Sequence, residues 1–351
     1  MEILILKIFI VLFTGFTWIP LIKFDHWWIR VFDYPRFQKL TAFTIFLVLW
    51  LILGQSDDLF WYWAAGILVS MVYLSYLVWP YSPLGRKMIQ MVPFDRQKGI
   101  HLIVGNVYQY NRKFEKTIEI IQKNDPDLVF LVETDQAWNE ALVPLHASFK
   151  HQILLPLENT YGIILFSNLP IRRQEINYLI NKEIPSLEID VELRNGQLIT
   201  IYAIHPSPPV PGESLKSTER DAEILIVGKK SKKNPLPSLV IGDLNDVAWS
   251  YTTSLFLKIS EMADPRKGRG FYNTFHAKYP FFRWPLDHVF ISHHFGLSKI
   301  HVLPFIGSDH FPIELKATLT ELNTTDMDKA SIDEVKEANE KIRDGRREGK
   351  Q

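Results

Sequence analysis

Three apolar runs fill the first quarter of this chain and constrain its fold before anything else does. Ile8–Ile22 is preceded only by Glu2 and Lys7 as charges, and Leu40–Ser56 and Leu59–Gly85 carry no charge at all. A helix needs roughly 17–25 apolar residues to cross a bilayer. The third run meets that length, and the first two reach it with their flanks. Trp18, Trp27, Trp28, Trp61, Trp63, Trp79 and Tyr81 lie near the ends of the runs, where amphipathic aromatic rings settle at a membrane interface. The first run lacks the basic leader and the small-residue cleavage site of a signal peptide. Three such runs in succession, parted by short polar loops, read as membrane spans rather than as a buried helical core. Residues 1–85 are therefore expected to form a multi-pass anchor in the cell membrane, with the lipid bilayer as a partner. The loop 23–39 holds Lys23, Arg30, Arg36 and Lys39, against Asp25 and Asp33, whereas 55–58 holds only acids. Basic loops favour the cytoplasmic side, which would put everything after the third span there.

Beyond the runs the pattern changes. Residues 86–99 mix polar and apolar types around Pro93 and read as a linker. Residues 100–320 alternate strand-like and helix-like stretches. Ile100–Val107, Leu128–Val132, Tyr161–Phe166, Leu187–Leu193, Leu198–Ile204, Leu239–Ile241, Leu286–Ile291 and Phe311–Leu315 read as strands, with helices over Arg112–Lys123, Ser214–Lys229 and Tyr251–Ile259. Asn195-Gly196 between two of the strands is a hairpin signal. The reading is an α/β domain with mixed sheets. Residues 321–351 form a charged tail, in which Ser331 and Glu334 have capping-box spacing for a solvated helix. Lys plus Arg and Asp plus Glu both number 39, which is not the basic excess of a general polyanion binder. There is no cysteine, so disulfides, thiolate metal sites and a cysteine nucleophile are excluded.

Polar groups recur where strands end. Ser238–Asp246 runs from three apolar residues into Gly242, Asp243, Asn245 and Asp246. Asn106 ends the first strand, Glu133 follows Leu-Val-Phe-Leu-Val, and His205 follows Ile-Tyr-Ala-Ile. Asp287 and His288 open a late strand, and Ser308, Asp309 and His310 precede the last. Alone, each is an ordinary turn or surface residue. Together they supply carboxylates for a hard cation and imidazoles and amides for a phosphate. Mg²⁺ takes one or two carboxylates and substrate phosphate oxygens, and neither a zinc pattern nor a phosphate-cradling Walker loop competes.

The order Asn106, Glu133, His205, Gly242-Asp243-Leu244-Asn245, Leu286-Asp287-His288, Gly307-Ser308-Asp309-His310 resembles the endonuclease/exonuclease/phosphatase family, over about residues 100–320. With three spans ahead of it, the chain is similar to the family's bacterial membrane-anchored branch. The resemblance implies a four-layer α/β sandwich of two mixed sheets with outer helices, and a phosphoesterase dependent on Mg²⁺ or Mn²⁺. It implies Glu133 as the main metal ligand, with Asn106 and Asp309 completing or supporting the site. Asp243 would activate or orient the attacking water. Asn245 would hold the phosphate, with Asn106 beside it. His310, oriented by Asp287, would bind the scissile phosphate, and His205 would be the second phosphate-binding or acid histidine. His288 stands where many relatives have an aromatic residue. The proline-rich Pro206–Glu213 beside His205 is read as a surface loop rather than a wall of the cleft. Arg283 is read as solvated or structural rather than as a phosphate contact, and Trp249 and Tyr251 as core packing.

The expected function is a membrane-anchored, divalent-metal-dependent phosphoesterase that hydrolyses a phosphodiester or phosphomonoester by in-line attack of water. Its substrate would be nucleic acid, a lipid headgroup or a small molecule, and no obligate protein partner is evident. A nuclease is the alternative within the same mechanism, although acids and bases are near balance over the domain. A non-catalytic membrane scaffold is the alternative from another class.

Overall fold

The computed structural model describes residues 1–320 and 327–349. The chain opens with three apolar helices, α1 (Glu2–Trp18), α2 (Arg36–Leu53) and α3 (Phe60–Val78). With short extensions, each is long and apolar enough to cross a membrane. They pack through Phe43, Trp50, Ile67 and Leu74, yet their most apolar windows are only 17%, 22% and 28% buried. Helices of a soluble core would hide most of such a surface. Lys7 pairs with Asp57 at one end of the bundle, and Trp18 Nε1 donates to Ser70 Oγ at 3.3 Å towards the other. The loop joining α1 to α2 and the end of α3 therefore lie on one side, and the rest of the chain stands there.

That remainder is a sandwich. Its first half contains β1 (Gly99–Asn106), α4 (Phe114–Asn124), β2 (Leu128–Val132), β3 (His151–Leu155), β4 (Ile163–Ser167) and β5 (Ile171–Asn177). The second half contains β6 (Ser186–Glu192), β7 (Leu198–Ala203), α5 (Thr218–Lys233), β8 (Ser238–Asp243), α6 (Tyr251–Ser260), β9 (Asp287–Ile291), β10 (Phe295–Val302), β11 (Ile313–Leu319) and α7 (Ile332–Glu348). One sheet has the order β10-β11-β1-β2-β4-β3 and the other β5-β6-β7-β8-β9. Among the named strands of the described residues, β1/β2 and β7/β8 are the pairs that run in parallel. The two sheets face each other across a dry core that includes Leu102, Phe130, Ile189, Ile201 and Leu239. On the outer face of the first sheet lie α4 and two short helical turns over 136–146, packed around Trp138 and Phe166. On the outer face of the second lie α5, α6 and α7, packed around Leu225, Phe256 and Ile342. The expected four-layer α/β sandwich of two mixed sheets is the fold observed.

Three strands escape the sequence reading: β3, β5 and β10. All are edge strands. An edge strand is half solvated and does not need a continuous apolar run. β5, Ile-Arg-Arg-Gln-Glu-Ile-Asn, is mostly exposed. The stretch read as a linker lies against the first sheet. Ile89 is fully buried, and Val92 N–H donates to Leu297 O at 2.9 Å. The tail helix has its capping box but is docked rather than solvated. Ala338, Ile342 and Gly345 are buried, and Gly345 sits so close to α5 that a Cβ there would come within 2.3 Å of the Ala222 Cβ. The remainder of the charged tail, 321–326 and 350–351, lies outside the described residues.

Candidate active site

The parallel pairs bring strand ends to one rim. β1 finishes at Asn106, β2 is followed by Glu133, β7 by His205, and β8 finishes at Asp243. β9 runs the other way, so its first residue, Asp287, is register partner to Asp243. The two sheets meet through one amide: Asn106 Nδ2 donates to Glu133 Oε1 at 2.7 Å and to Asp243 Oδ2 at 3.0 Å. Asn106 Oδ1 accepts the Tyr108 N–H at 2.9 Å, which fixes the amide.

Backbone in the left-handed region gathers here. Glu133 (φ 59°) and Asn245 (φ 51°) adopt it without being glycine. Such conformations cost energy and persist where the surroundings enforce them, often at functional sites. Gly242 has φ 140°, and a Cβ on it would stand 1.8 Å from Ile204 O. Only glycine fits between β8 and the chain leaving β7.

The histidines are placed by carboxylates. His310 Nδ1 lies 2.8 Å from Asp287 Oδ2, and its Nε2 lies 3.5 Å from Asp243 Oδ2. Burial alone would keep His310 neutral, but Asp287 and Asp243 outweigh it and push its pKa up to about 10. His205 Nε2 is 4.0 Å from Asp243 Oδ2. Burial dominates there and brings its pKa down to about 4. Glu133 is pushed up to about 7 by burial, against the pull of Asn106 and His310. Asp243 is also pushed up by burial, opposed by His310.

The site opens into a cavity of about 600 Å³. Six of the eight sequence-predicted residues line it: Glu133, His205, Asp243, Asn245, Asp309 and His310. Asn106 and Asp287 stand behind them, both buried. Asn245 Nδ2 donates to Pro206 O at 3.0 Å, so any hold on a phosphate requires that bond to be released. The proline-rich segment is a wall and not merely a surface loop, since Pro208, Pro209, Val210, Pro211 and Glu213 line the cavity. His288 lies beneath the site, with Nδ1 2.7 Å from Arg266 Nη2 and Nε2 2.8 Å from Asp246 O. Asp246 takes hydrogen bonds from Ser250 and Thr253 at the start of α6. Arg283 donates to the carbonyls of His276 and Ala277. Trp249 packs in the join between the domain and the first 85 residues, whereas Tyr251 is partly exposed beside Lys23 and Glu337.

The sequence reading gave the loop between α1 and α2 no part in the site. Trp27, Val31, Phe32, Tyr34 and Pro35 line the same cavity. Tyr34 Oη donates to Asn245 O at 3.0 Å, and Arg220 donates to that carbonyl at 2.6 Å. Trp27 N–H donates to Leu215 O at 2.9 Å, and Trp249 Nε1 to Asp33 O at 2.9 Å. The aromatic residues of this loop were the available signal, but they suit a membrane interface equally well.

The donor set fits a hard divalent cation. Glu133, Asp243 and Asp309 bring carboxylates to a cavity that no Lys or Arg lines among the described residues. Asp287 Oδ1 is buried without a hydrogen-bond partner among them, and ligand atoms of Asp243, Asp287 and His310 all lie within 4.8 Å of one another. Oxygen donors without thiolate suit Mg²⁺ or Mn²⁺ better than a soft metal.

Residues 105–310 match the model of the Endonuclease/Exonuclease/phosphatase family. No curated protein matches the chain. Among solved structures, an endonuclease/exonuclease/phosphatase family protein from Bacteroides thetaiotaomicron is similar at a TM-score of 0.53 and 14% identity, over 63% of this chain and 98% of that one. D. rerio TDP2, complexed with a single-strand DNA product, is similar at 0.52 and 16%, over 63% and 99%. The human Nocturnin catalytic domain with bound sulfate is similar at 0.51 and 15%, over 64% and 96%. At these identities the likeness is one of fold.

Proposed function

This chain belongs to the Endonuclease/Exonuclease/phosphatase family of metal-dependent phosphoric ester hydrolases, and we propose that it is a membrane-anchored member that hydrolyses a phosphomonoester or phosphodiester with Mg²⁺ or Mn²⁺. The observation that carries the reading is the Asn106 amide joining Glu133 to Asp243, with His310 held between Asp243 and Asp287. With Asn106 supporting the site by holding the Glu133 carboxylate, Glu133 and Asp309 would hold the cation. When bound, it supplies positive charge against the phosphoryl oxygens and the leaving oxygen.

The chain's own residues supply the rest. Asp243 accepts a proton of the attacking water and aims it in line with the leaving group. Asp287 fixes the His310 ring through Nδ1, so the proton on Nε2 points at a phosphoryl oxygen. His205, kept neutral by burial, presents an N–H donor without adding charge. Asn245 adds an amide once freed from Pro206. Three apolar helices support anchoring, and the basic residues of the loop 23–39 support a cytoplasmic domain.

Similarity of fold to TDP2, which has been seen with a DNA product, supports a nuclease as the second reading. Among the described residues no Lys or Arg lines the cavity, which weighs against it. The test uses the full chain in lipid nanodiscs with p-nitrophenyl phosphate and bis-p-nitrophenyl phosphate. Turnover should need Mg²⁺ or Mn²⁺, stop with EDTA, and fall at least about 10²-fold in Asp243→Ala and His310→Ala. Turnover that survives EDTA or either substitution would refute the mechanism. No turnover and no Mn²⁺ binding would leave a scaffold.

A further inference from the structure

The catalytic groups account for only part of the cavity lining, and Phe275 packs against His310 with ring centroids 4.9 Å apart. Two chain segments build most of its remainder, and both are apolar. One is the loop between α1 and α2, through Trp27, Val31, Phe32 and Pro35. The other is the segment before β9, through Phe275, Phe282, Trp284 and Leu286. The prolines after His205 close a third side. A cleft built only to hold a phosphate and water would gain nothing from such a lining, because apolar walls bind apolar ligand surface.

The same walls continue outward as exposed apolar side chains. Val31 is 46% exposed, Val210 41% and Phe282 59%, with Phe281 beside it at 84%. Gln38, in the first turn of α2, donates to Phe281 O at 2.8 Å, so this rim is fastened to the start of a transmembrane-length helix. Exposed apolar side chains grouped beside a membrane helix mark a surface that meets lipid. The apolar walls therefore lead from the candidate catalytic groups to an exposed, apolar end beside the start of α2.

We propose that this apolar end is a hydrocarbon-tail subsite, and that the substrate is an amphiphilic phosphoester drawn from the bilayer: a lipid whose phosphate reaches Glu133, Asp243 and His310 while the first methylenes of its tail lie between the α1–α2 loop and the Phe275–Leu286 segment. The inference rests on the phosphoesterase reading and adds the substrate class. Nucleic acid is disfavoured by the walls themselves, since no Lys or Arg lines the cavity among the described residues and a polyanion must be met by cations along its length.

The test compares ethyl and dodecyl p-nitrophenyl phosphodiesters, which share one reacting group, on the full chain in nanodiscs with Mg²⁺. Burying three of the added methylenes should raise kcat/KM about 50-fold for the dodecyl ester. In Val31→Glu and Phe282→Glu, both at exposed positions, the dodecyl-to-ethyl ratio should collapse towards one. The same variants control for partitioning of the ester into the disc. Equal kcat/KM for the two esters in the unmodified protein would overturn the tail subsite while leaving the phosphoesterase reading intact. Faster cleavage of an oligonucleotide than of the dodecyl ester would overturn it in favour of nucleic acid. If neither ester is turned over, the phosphodiesterase half of the reading fails, and titration with ethyl and dodecyl phosphate decides the subsite separately. Tighter binding of dodecyl phosphate that the two variants abolish supports it, and equal binding refutes it.

Discussion

Gly242 shows what single residues contribute here. In sequence it looks like a strand breaker before an acid. In the structure its missing side chain lets β8 pass against Ile204 O, and that contact delivers Asp243 to His310 and Asn106. Gly242→Ala combines an unfavourable φ with a 1.8 Å clash on backbone. It should cost several kcal/mol, read as a fall in Tm well beyond that of a surface substitution, together with loss of hydrolysis; a Tm within 2 °C of the parent would show the contact to be soft. The catalytic-type residues were legible because each lies at or beside one end of a strand that is easy to read. Their second partners were not. That His288 braces Arg266 against the Asp246 carbonyl, or that Arg220 and Tyr34 share the Asn245 carbonyl, depends on long-range contacts that leave no local pattern.

At the scale of elements, α5 carries a buried acid that its periodicity did not reveal. Glu223 is buried, and its Oε1 has no hydrogen-bond partner among the described residues. Burial, with Glu219 nearby, pushes its pKa up from 4.5 to about 8. The folded form therefore holds a proton that the unfolded chain releases from about pH 4.5 upward. Stability is full below that pH and is lost as pH rises towards 8, by about 3 kcal/mol at pH 7. Glu223→Gln should remove this slope. Its Tm should match the parent near pH 4.5 and exceed it increasingly up to pH 8, and parallel Tm-against-pH curves would contradict the assignment. Interior strands and amphipathic helices were readable because burial on both faces or on one stripe dictates their pattern. The edge strands β3, β5 and β10 were not, because solvent satisfies one side of them. The docking of α7 was hidden too, because its buried stripe is short, only Ala338, Ile342 and Gly345 in a highly charged helix, and it relies on the close approach of Gly345 to Ala222.

The largest difference lies in how the two halves of the molecule relate. The pattern of residues separates an anchor from a catalytic domain, and a linker between them invites removal of the anchor. The structure gives no such freedom. Tyr34, Phe271, Phe275 and Trp284 pack around Tyr81, Trp249 and Leu286, and Arg36 reaches the Trp249 carbonyl. A truncated 86–351 protein should expose that cluster and lose one wall of its cavity. Metal-dependent kcat/KM should drop at least about tenfold relative to the full chain in nanodiscs, and size-exclusion chromatography should show self-association. A monodisperse fragment with full activity would show the join to be dispensable.

The α1–α2 loop also bears on how the protein matures. Its residues stand far before those they meet in the chain, so the cavity is closed by contacts spanning more than two hundred residues. Contacts of that separation form late, after the intervening sheets have been built. A nascent chain whose helices have not entered the bilayer lacks a positioned wall to close against. Under the membrane-anchored reading, insertion would then act as a checkpoint in biogenesis, keeping the hydrolase silent until it has reached the bilayer.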